Sequence, residues 1–289
     1  MKDGIADAVV VDDGSDVVES GRIADVVMQY GMNECITFVQ VAHGGAAAAR
    51  NYGINLAKGD FIWCVDADDT ILAESVQPLV DDLKAMSSDA SLFHIGDMLA
   101  MHSAEETLPT PAIEPDKTML CNPLQLVFPQ GTIADHTTNI YRRSWLSEHP
   151  ELRYPEDMQL LEDTVFALKV VEAATLCSTN SSYRFYVRHT YQPSSTSGAW
   201  AAERSSRFTV DICRFFRFLK DYADRHSDHP YVLRFYERYR YVYLRVMAVK
   251  GCAWSDIRQL MNIVGPVRSC QRPFYRLFTF ICRTLRPKR

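Results

Sequence analysis

Three groups of carboxylates, each beside an apolar run, carry the chemistry that this sequence can do. Asp12 and Asp13 follow the apolar run at residues 6–11 (ADAVVV) and precede Gly14 and Ser15. Asp66, Asp68 and Asp69 follow FIWCV, and Glu162-Asp163 stands just ahead of Phe166, Val170 and Val171. Carboxylates crowded at one strand end repel each other and raise each other's pKa unless something positive joins them. The 66–69 cluster therefore invites a divalent cation, and a donor set of oxygens alone suits Mg²⁺ or Mn²⁺, which keep positions open for phosphates. The plainer alternative is an acidic turn that caps the next helix, and Glu162-Asp163 alone reads as an acidic pair favoured by a helix dipole. One arginine, Arg50, lies with Asn51 between the first two clusters.

The elements that must position these groups follow from periodicity. Residues 6–11, 36–41, 61–65 and 91–95 are short apolar, β-rich runs ending in turn residues, which predicts strands. Between them, Ser15 or Asp16 can cap a helix whose apolar face holds Ile23, Val26, Val27 and Tyr30 and which stops at Gly31. The alanine-rich segment 46–58 predicts a second helix with Gly59 as its C-cap. Val76, Leu79, Val80, Leu83 and Met86 recur at helical spacing, and a further helix runs from Glu162 to Ala174. Strands alternating with helices predict an α/β fold with a mostly parallel sheet flanked by helices. In such sheets ligands bind beyond the carboxyl ends of the strands, where both aspartate clusters fall. Residues 103–130, rich in Pro, Thr and acids, are expected to form a long loop.

Taken together, VVVDDGS, GGAAAARNYGINLAKGDFIWCVDADD and LEDTVF resemble the inverting GT-A glycosyltransferases of the family-2 type, with capsule and exopolysaccharide transferases the most similar. The resemblance spans roughly residues 8–192 and includes YRRSWL (141–146) and YRFYVRHTYQPSS. It implies a nucleotide diphosphate sugar as donor, with UDP-sugars favoured, and a glycan or lipid-linked sugar as acceptor. It points to Asp13, with Asp12 nearby, as the contact to the base. Ribose and metal contacts fall to Asp66, Asp68 and Asp69, with Asp68 and Asp69 the candidate ligands for Mn²⁺ or Mg²⁺. Arg50 and Arg188 are implied near the donor phosphates, where a fixed cation is useful. Asp163, supported by Glu162, is implied as the base that activates the acceptor hydroxyl. Members of the family begin with a further strand and helix, of the form VSIIIPVYN, whereas here the DDGS strand is reached within about a dozen residues. The expected domain therefore lacks that first β-α unit.

Two other readings make distinct predictions. Residues 65–70 (VDADDT) fit the DxDx[TV] signature of haloacid-dehalogenase-type phosphatases, with Asp66 as nucleophile and Asp68 as acid/base. That signature normally follows a first strand, and the reading leaves DDGS and ARN unexplained. An inactive, truncated homologue serving as a binding partner would fold yet bind no nucleotide. P-loop and dinucleotide glycine patterns do not occur.

With 47% hydrophobic and 23% charged residues, the 289-residue chain has the make-up of a globular protein, which excludes collagen, a disordered tail and a disulfide miniprotein. Eight cysteines without a CxxC predict reduced thiols rather than a zinc cage. No apolar run reaches the roughly 18–20 residues of a membrane span, and residues 1–7 lack the apolar core of a signal peptide. The expected compartment is the cytoplasm. Charge divides sharply: residues 1–203 hold 12 Lys+Arg against 30 Asp+Glu, whereas 204–289 hold 19 against 6. We expect a transferase domain over 1–200 and a helical, basic region over 201–289. Residues 273–289 (PFYRLFTFICRTLRPKR) interleave five cations with apolar residues, a candidate contact with an anionic membrane face; the other reading is a terminal helix docked on the domain with its arginines in water. Nucleic acid is not an expected partner.

Overall fold

The computed structural model describes residues 6–29, 35–95, 99–101, 119–122, 124, 136–179, 186–189, 206–249 and 252–265. The chain divides into two compact units, Met1–Glu203 and Arg204–Arg289.

The first unit runs β1 (Ala8–Asp12), α1 (Val17–Gln29), β2 (Ile36–Gln40), α2 (Ala46–Leu56), β3 (Phe61–Trp63), β4 (Thr70–Ile71), α3 (Val76–Ala85) and β5 (Leu92–His94). It continues with β6 (Leu99–Met101), β7 (Met119–Cys121), β8 (Asn139–Arg142), α4 (Arg143–Glu148), α5 (Glu162–Ala173), β9 (Cys177–Thr179) and β10 (Tyr186–His189). Asp16 is the cap of α1, its Oδ1 accepting the N–H groups of Val18 and Glu19 at 3.0 Å each. The predicted stop at Gly59 is not used. Helix α2 ends at Leu56, and Ala57 turns at once into extended backbone (φ −60°, ψ 134°), so no left-handed residue is needed.

Among the described residues the strands form three sheets, ordered β1-β2, β4-β10-β6 and β3-β8-β5-β9-β7. Pairing is parallel at β1–β2, β5–β9 and β6–β10. It is antiparallel where β8 enters between β3 and β5, where β7 joins β9 and where β4 joins β10. The parallel pattern expected of βα units is therefore broken by β4, β7 and β8, each of which pairs antiparallel with its neighbours. Strand β7 forms within the stretch expected to be a loop, because Met119–Cys121 is a short apolar run that can close the edge of β9.

Successive residues of a strand face opposite sides of the sheet, and the core is built on that alternation. Leu92 and Tyr141 pack on one face with Ala47, Ile54, Leu146, Phe166 and Val170 from α2, α4 and α5. Phe93 and Ile140 pack on the other with Leu79 and Met86 at α3. Tyr154 stacks on Phe166 at 4.0 Å, and Tyr141 meets the same ring edge-on at 5.4 Å. A sheet covered by helices on both faces is the arrangement α/β folds require. The β1-α1-β2 segment is covered far less. Residues 8–11 are only half-buried, and Val17, Val18, Val26 and Met28 of α1 are exposed.

The second unit holds α6 (Ser206–Arg225), α7 (Pro230–Val249) and α8 (Trp254–Val264). Phe208, Ile212, Phe215, Phe216, Leu219 and Tyr222 form a buried stripe at spacings of three and four along α6. Arg240 is buried and donates from Nη1 to the Val264 carbonyl at 2.9 Å, joined there by the Tyr236 hydroxyl at 3.1 Å. Those bonds satisfy a carbonyl that the end of α8 leaves without a helical partner. No helix among the described residues is long and apolar enough to cross a membrane. Cys35, Cys64, Cys177, Cys213 and Cys252 are thiols. Residues 273–289, the candidate membrane contact, lie outside the described residues.

Candidate active site

The turn after β1 is fastened to the loop that opens α2. Asp12 is buried, and its Oδ1 accepts the Ser15 N–H at 3.0 Å. Hydrogen bonds from the Ser15 side chain and backbone hold its carboxyl below the usual range. Asp13 reaches across instead: Oδ1 accepts the Gly44 N–H at 2.8 Å and Oδ2 the Gly45 N–H at 2.9 Å, with His43 Nδ1 also 2.9 Å from Oδ2. The approach is close enough to require glycine at position 14. Its φ is +75°, and a Cβ there would lie 2.7 Å from the His43 nitrogen. The spacing of the sequence gave no signal that residues 43–45 would receive Asp13. Oδ1, with the Gly44 N–H alone as its partner among these, keeps a second lone pair with which to accept from a base.

Helix α2 carries Arg50 and Asn51 into the interior. Arg50 donates from Nη2 to Asp66 Oδ1 at 2.7 Å and from Nη1 to Glu162 Oε1 at 2.9 Å, with its guanidinium 5.3 Å from the Tyr154 ring centre. One arginine thus clasps the turn after β3 to the start of α5. Burial disfavours its charge, but Asp66 and Glu162 outweigh that and keep it firmly protonated. Buried Asn51 donates to the Tyr154 carbonyl and to Glu156 Oε1 at 2.9 Å each, and accepts the Tyr154 N–H at 2.9 Å. Adjacent side chains therefore do separate jobs: Arg50 joins the carboxylates, and Asn51 pins the segment leading to them.

Asp66 has a second partner absent from the sequence reading. His136 is 1% exposed, and its Nε2 lies 3.3 Å from Asp66 Oδ1 while its Nδ1 lies 3.7 Å from Asp163 Oδ2. Burial alone would raise the Asp66 pKa, but His136 and then Arg50 hold it well below the carboxylate range. Glu162 moves the other way, because burial and the neighbouring Asp163 charge raise it more than Arg50 lowers it. Asp163 Oδ1 accepts the Thr164 N–H at 2.6 Å. The residue ahead of this pair, Leu161, is left-handed at φ 67° and ψ 14°. A branched residue held there costs about 1–3 kcal/mol, a strain of the kind that gathers at functional sites.

The structure thus brings together Arg50, Asp66, Glu162 and Asp163. Asp66, Asp68 and Asp69 each offer an oxygen within 4.8 Å of the others. Three hard oxygen donors at that separation fit a small divalent cation. Asp12 and Asp13 stand at the end of β1, beside the loop into α2. Arg188 lies on β10 opposite Ala100 of β6, but its side chain is outside the described residues. His136 is not marked in the sequence because a lone histidine without ligand spacing carries no pattern; Asn51 stands beside Arg50 in the ARN block, but its role in pinning residues 154–156 is visible only in the fold.

Comparison with known proteins gives this geometry a family. The family model described as "Glycosyl transferase family 2" matches residues 5–150. Glycosyltransferase GlyG of Streptococcus pneumoniae is 37% identical over 81 residues, 28% of this chain and 26% of that protein. Poly(ribitol-phosphate) beta-N-acetylglucosaminyltransferase TarS of Staphylococcus aureus is 25% identical over 182 residues, 62% of this chain and 29% of that protein. The matches thus span under a third of the length of these curated relatives. Among solved structures, S. aureus TarS 1-349 in complex with UDP-GlcNAc aligns with TM-score 0.53 at 17% identity, covering 89% of this chain and 81% of that one. The mannosyltransferase PcManGT from Pyrobaculum calidifontis, in complex with GDP-Man and Mn²⁺, aligns with TM-score 0.52 at 14% identity, covering 96% and 74%. These likenesses show the GT-A fold. With the family's signature running through both aspartate turns and the Arg50 helix, the chain belongs to glycosyl transferase family 2.

Proposed function

We propose that the chain transfers a sugar from a nucleotide diphosphate sugar, with UDP-sugars the preferred donors, to a glycan or lipid-linked acceptor in polysaccharide synthesis. The observation that carries this reading is the Arg50 clasp, which sets the Asp66–Asp69 turn and the Glu162-Asp163 pair side by side. A donor-binding turn and a base must be neighbours if one displacement is to occur at the anomeric carbon. Family membership removes the phosphatase alternative for Asp66. Support for the donor class comes from the UDP-GlcNAc and GDP-Man complexes of the two structural neighbours.

In this reading Asp13, with Asp12 beside it, receives the base, and Asp66 contacts the ribose. Arg50 and Arg188 supply positive charge near the diphosphate. Asp68 and Asp69 would hold Mn²⁺ or Mg²⁺, a choice supported by the oxygen donor set and by the Mn²⁺ bound in PcManGT. The metal, when bound, supplies charge neutralisation for the departing diphosphate. Asp163 takes the acceptor hydroxyl's proton as that oxygen attacks, and Glu162 supports it. One base and one displacement invert the anomeric configuration. The acceptor approaches between the sheet edge and residues 130–165.

Release of UDP from UDP-N-acetylglucosamine and UDP-glucose tests the assignment. Asp163→Asn should lower turnover by about 10²–10⁴-fold, the usual range for a lost general base, while leaving UDP affinity within about threefold. Unchanged turnover would remove Asp163 as the base.

A further inference from the structure

Burying an imidazole costs free energy unless both ring nitrogens find partners. His136 opens a 3-10 turn, His136–Thr138, directly before β8. Its backbone has little freedom. Trp63 Nε1 at the end of β3 donates to the Thr137 carbonyl at 2.8 Å, and the Ile95 N–H beyond β5 donates to the Thr138 carbonyl at 2.9 Å. The ring stands edge-on to Tyr154, with centroids 5.8 Å apart and planes at 86°. Two strands and an aromatic wall therefore fix the imidazole, and its two nitrogens face the two carboxylates that the proposed reaction separates into donor and acceptor roles.

We infer that His136 is a positioning residue that sets the Asp163 carboxylate and ties it to the donor side of the site through Asp66. The inference rests on the proposed reading of Asp163 as the base. Asp163 Oδ1 is already fixed by the Thr164 N–H at 2.6 Å, so the contact at Oδ2 decides how the carboxylate is turned. The 3.7 Å separation between His136 Nδ1 and Oδ2 is longer than a hydrogen bond. Such contacts commonly tighten only when substrate is bound. On the other side, Nε2 at 3.3 Å from Asp66 Oδ1 anchors the ring to the same oxygen that Arg50 holds. A donor that moves Asp66 therefore also moves the support of the base.

The two nitrogens can be separated by substitution. In His136→Asn the amide sits near the Nδ1 position, facing Asp163; in His136→Gln it sits near the Nε2 position, facing Asp66. We expect His136→Ala to lower kcat for UDP release from UDP-N-acetylglucosamine or UDP-glucose by about 10–100-fold, the usual cost of losing a supporting partner. KM should change by less than about threefold, because Arg50 still holds Asp66 in place for the donor. Asn should restore most of kcat and Gln should not. Equal rates for Asn and Gln, or a folded Ala variant with wild-type kcat, would overturn the inference; if the Ala variant does not fold, the Asn-over-Gln order decides alone. A readout free of turnover is ¹⁵N NMR of the histidine rings: Asp163→Asn should shift the Nδ1 resonance of His136, and an unmoved resonance would count against the contact. If Asp163→Asn itself turns over normally, the base assignment fails. If it is inactive while Asn and Gln at 136 are alike, only the role of His136 fails.

Discussion

The β1-α1-β2 segment and the five-stranded sheet each carry part of the candidate site, and they hold it by opposite means. In the sheet, Leu92, Phe93, Ile140, Tyr141 and Phe166 are almost wholly buried, and Arg50, Asp66 and Glu162 are clasped just beyond that core. In the β1-α1-β2 segment the strand residues ahead of Asp12 are half-buried, and α1 exposes Val17, Val18, Val26 and Met28. Asp13 is nevertheless well placed, because two backbone N–H groups of the 44–45 loop hold it. Positioning in one region comes from packing, and in the other from hydrogen bonds across a tight turn. The Glu162-Asp163 pair, the proposed base and its support, is seated on the packed side.

That contrast can be broken by substitution. Phe166→Ala empties a ring contacted by both Tyr141 and Tyr154, and should cost about 4 kcal/mol in a denaturant titration. Asp66→Asn leaves Arg50 and His136 without their shared charge, and should cost about 3 kcal/mol. It should also change the acid limb. Because the folded pKa of Asp66 lies below its unfolded value, its contribution is complete above about pH 4 and is lost as pH falls through the folded value. Wild type should therefore lose stability below about pH 4 along a slope that the Asn variant lacks.

Gly14→Ala should cost about 1–2 kcal/mol, from the left-handed backbone and the clash with His43. It should weaken UDP binding more than its stability loss suggests, because the fastening of Asp13 is disturbed. Val18→Ser, on the exposed face of α1, should stay within about 0.5 kcal/mol of wild type. A large loss there would show that α1 is covered in solution and would collapse the contrast.

The acidic turns were legible in the sequence because an apolar strand followed by aspartates marks both a strand end and a repulsion that needs an answer. The helix at 46–56 was legible from alanine content, but not its end, because the exit into β3 is extended and makes no use of Gly59. The apolar face read for α1 was real as a pattern, yet Val26 stays exposed because periodicity does not say what will cover a face. Arg50 is legible in the sequence as the arginine of the ARN block. That its guanidinium spans 112 residues of sequence to reach Glu162 is a tertiary fact. His136 had no spacing to give it away, and only the fold brings it between Asp66 and Asp163.

The most direct test of a working nucleotide-sugar site is calorimetric titration of the folded chain with UDP and with GDP, with and without Mn²⁺. The proposal predicts metal-dependent binding, favouring UDP, that is lost in Asp68→Ala. Absence of binding by either nucleotide would contradict it, and would favour the reading of a folded homologue that serves as a partner rather than a transferase.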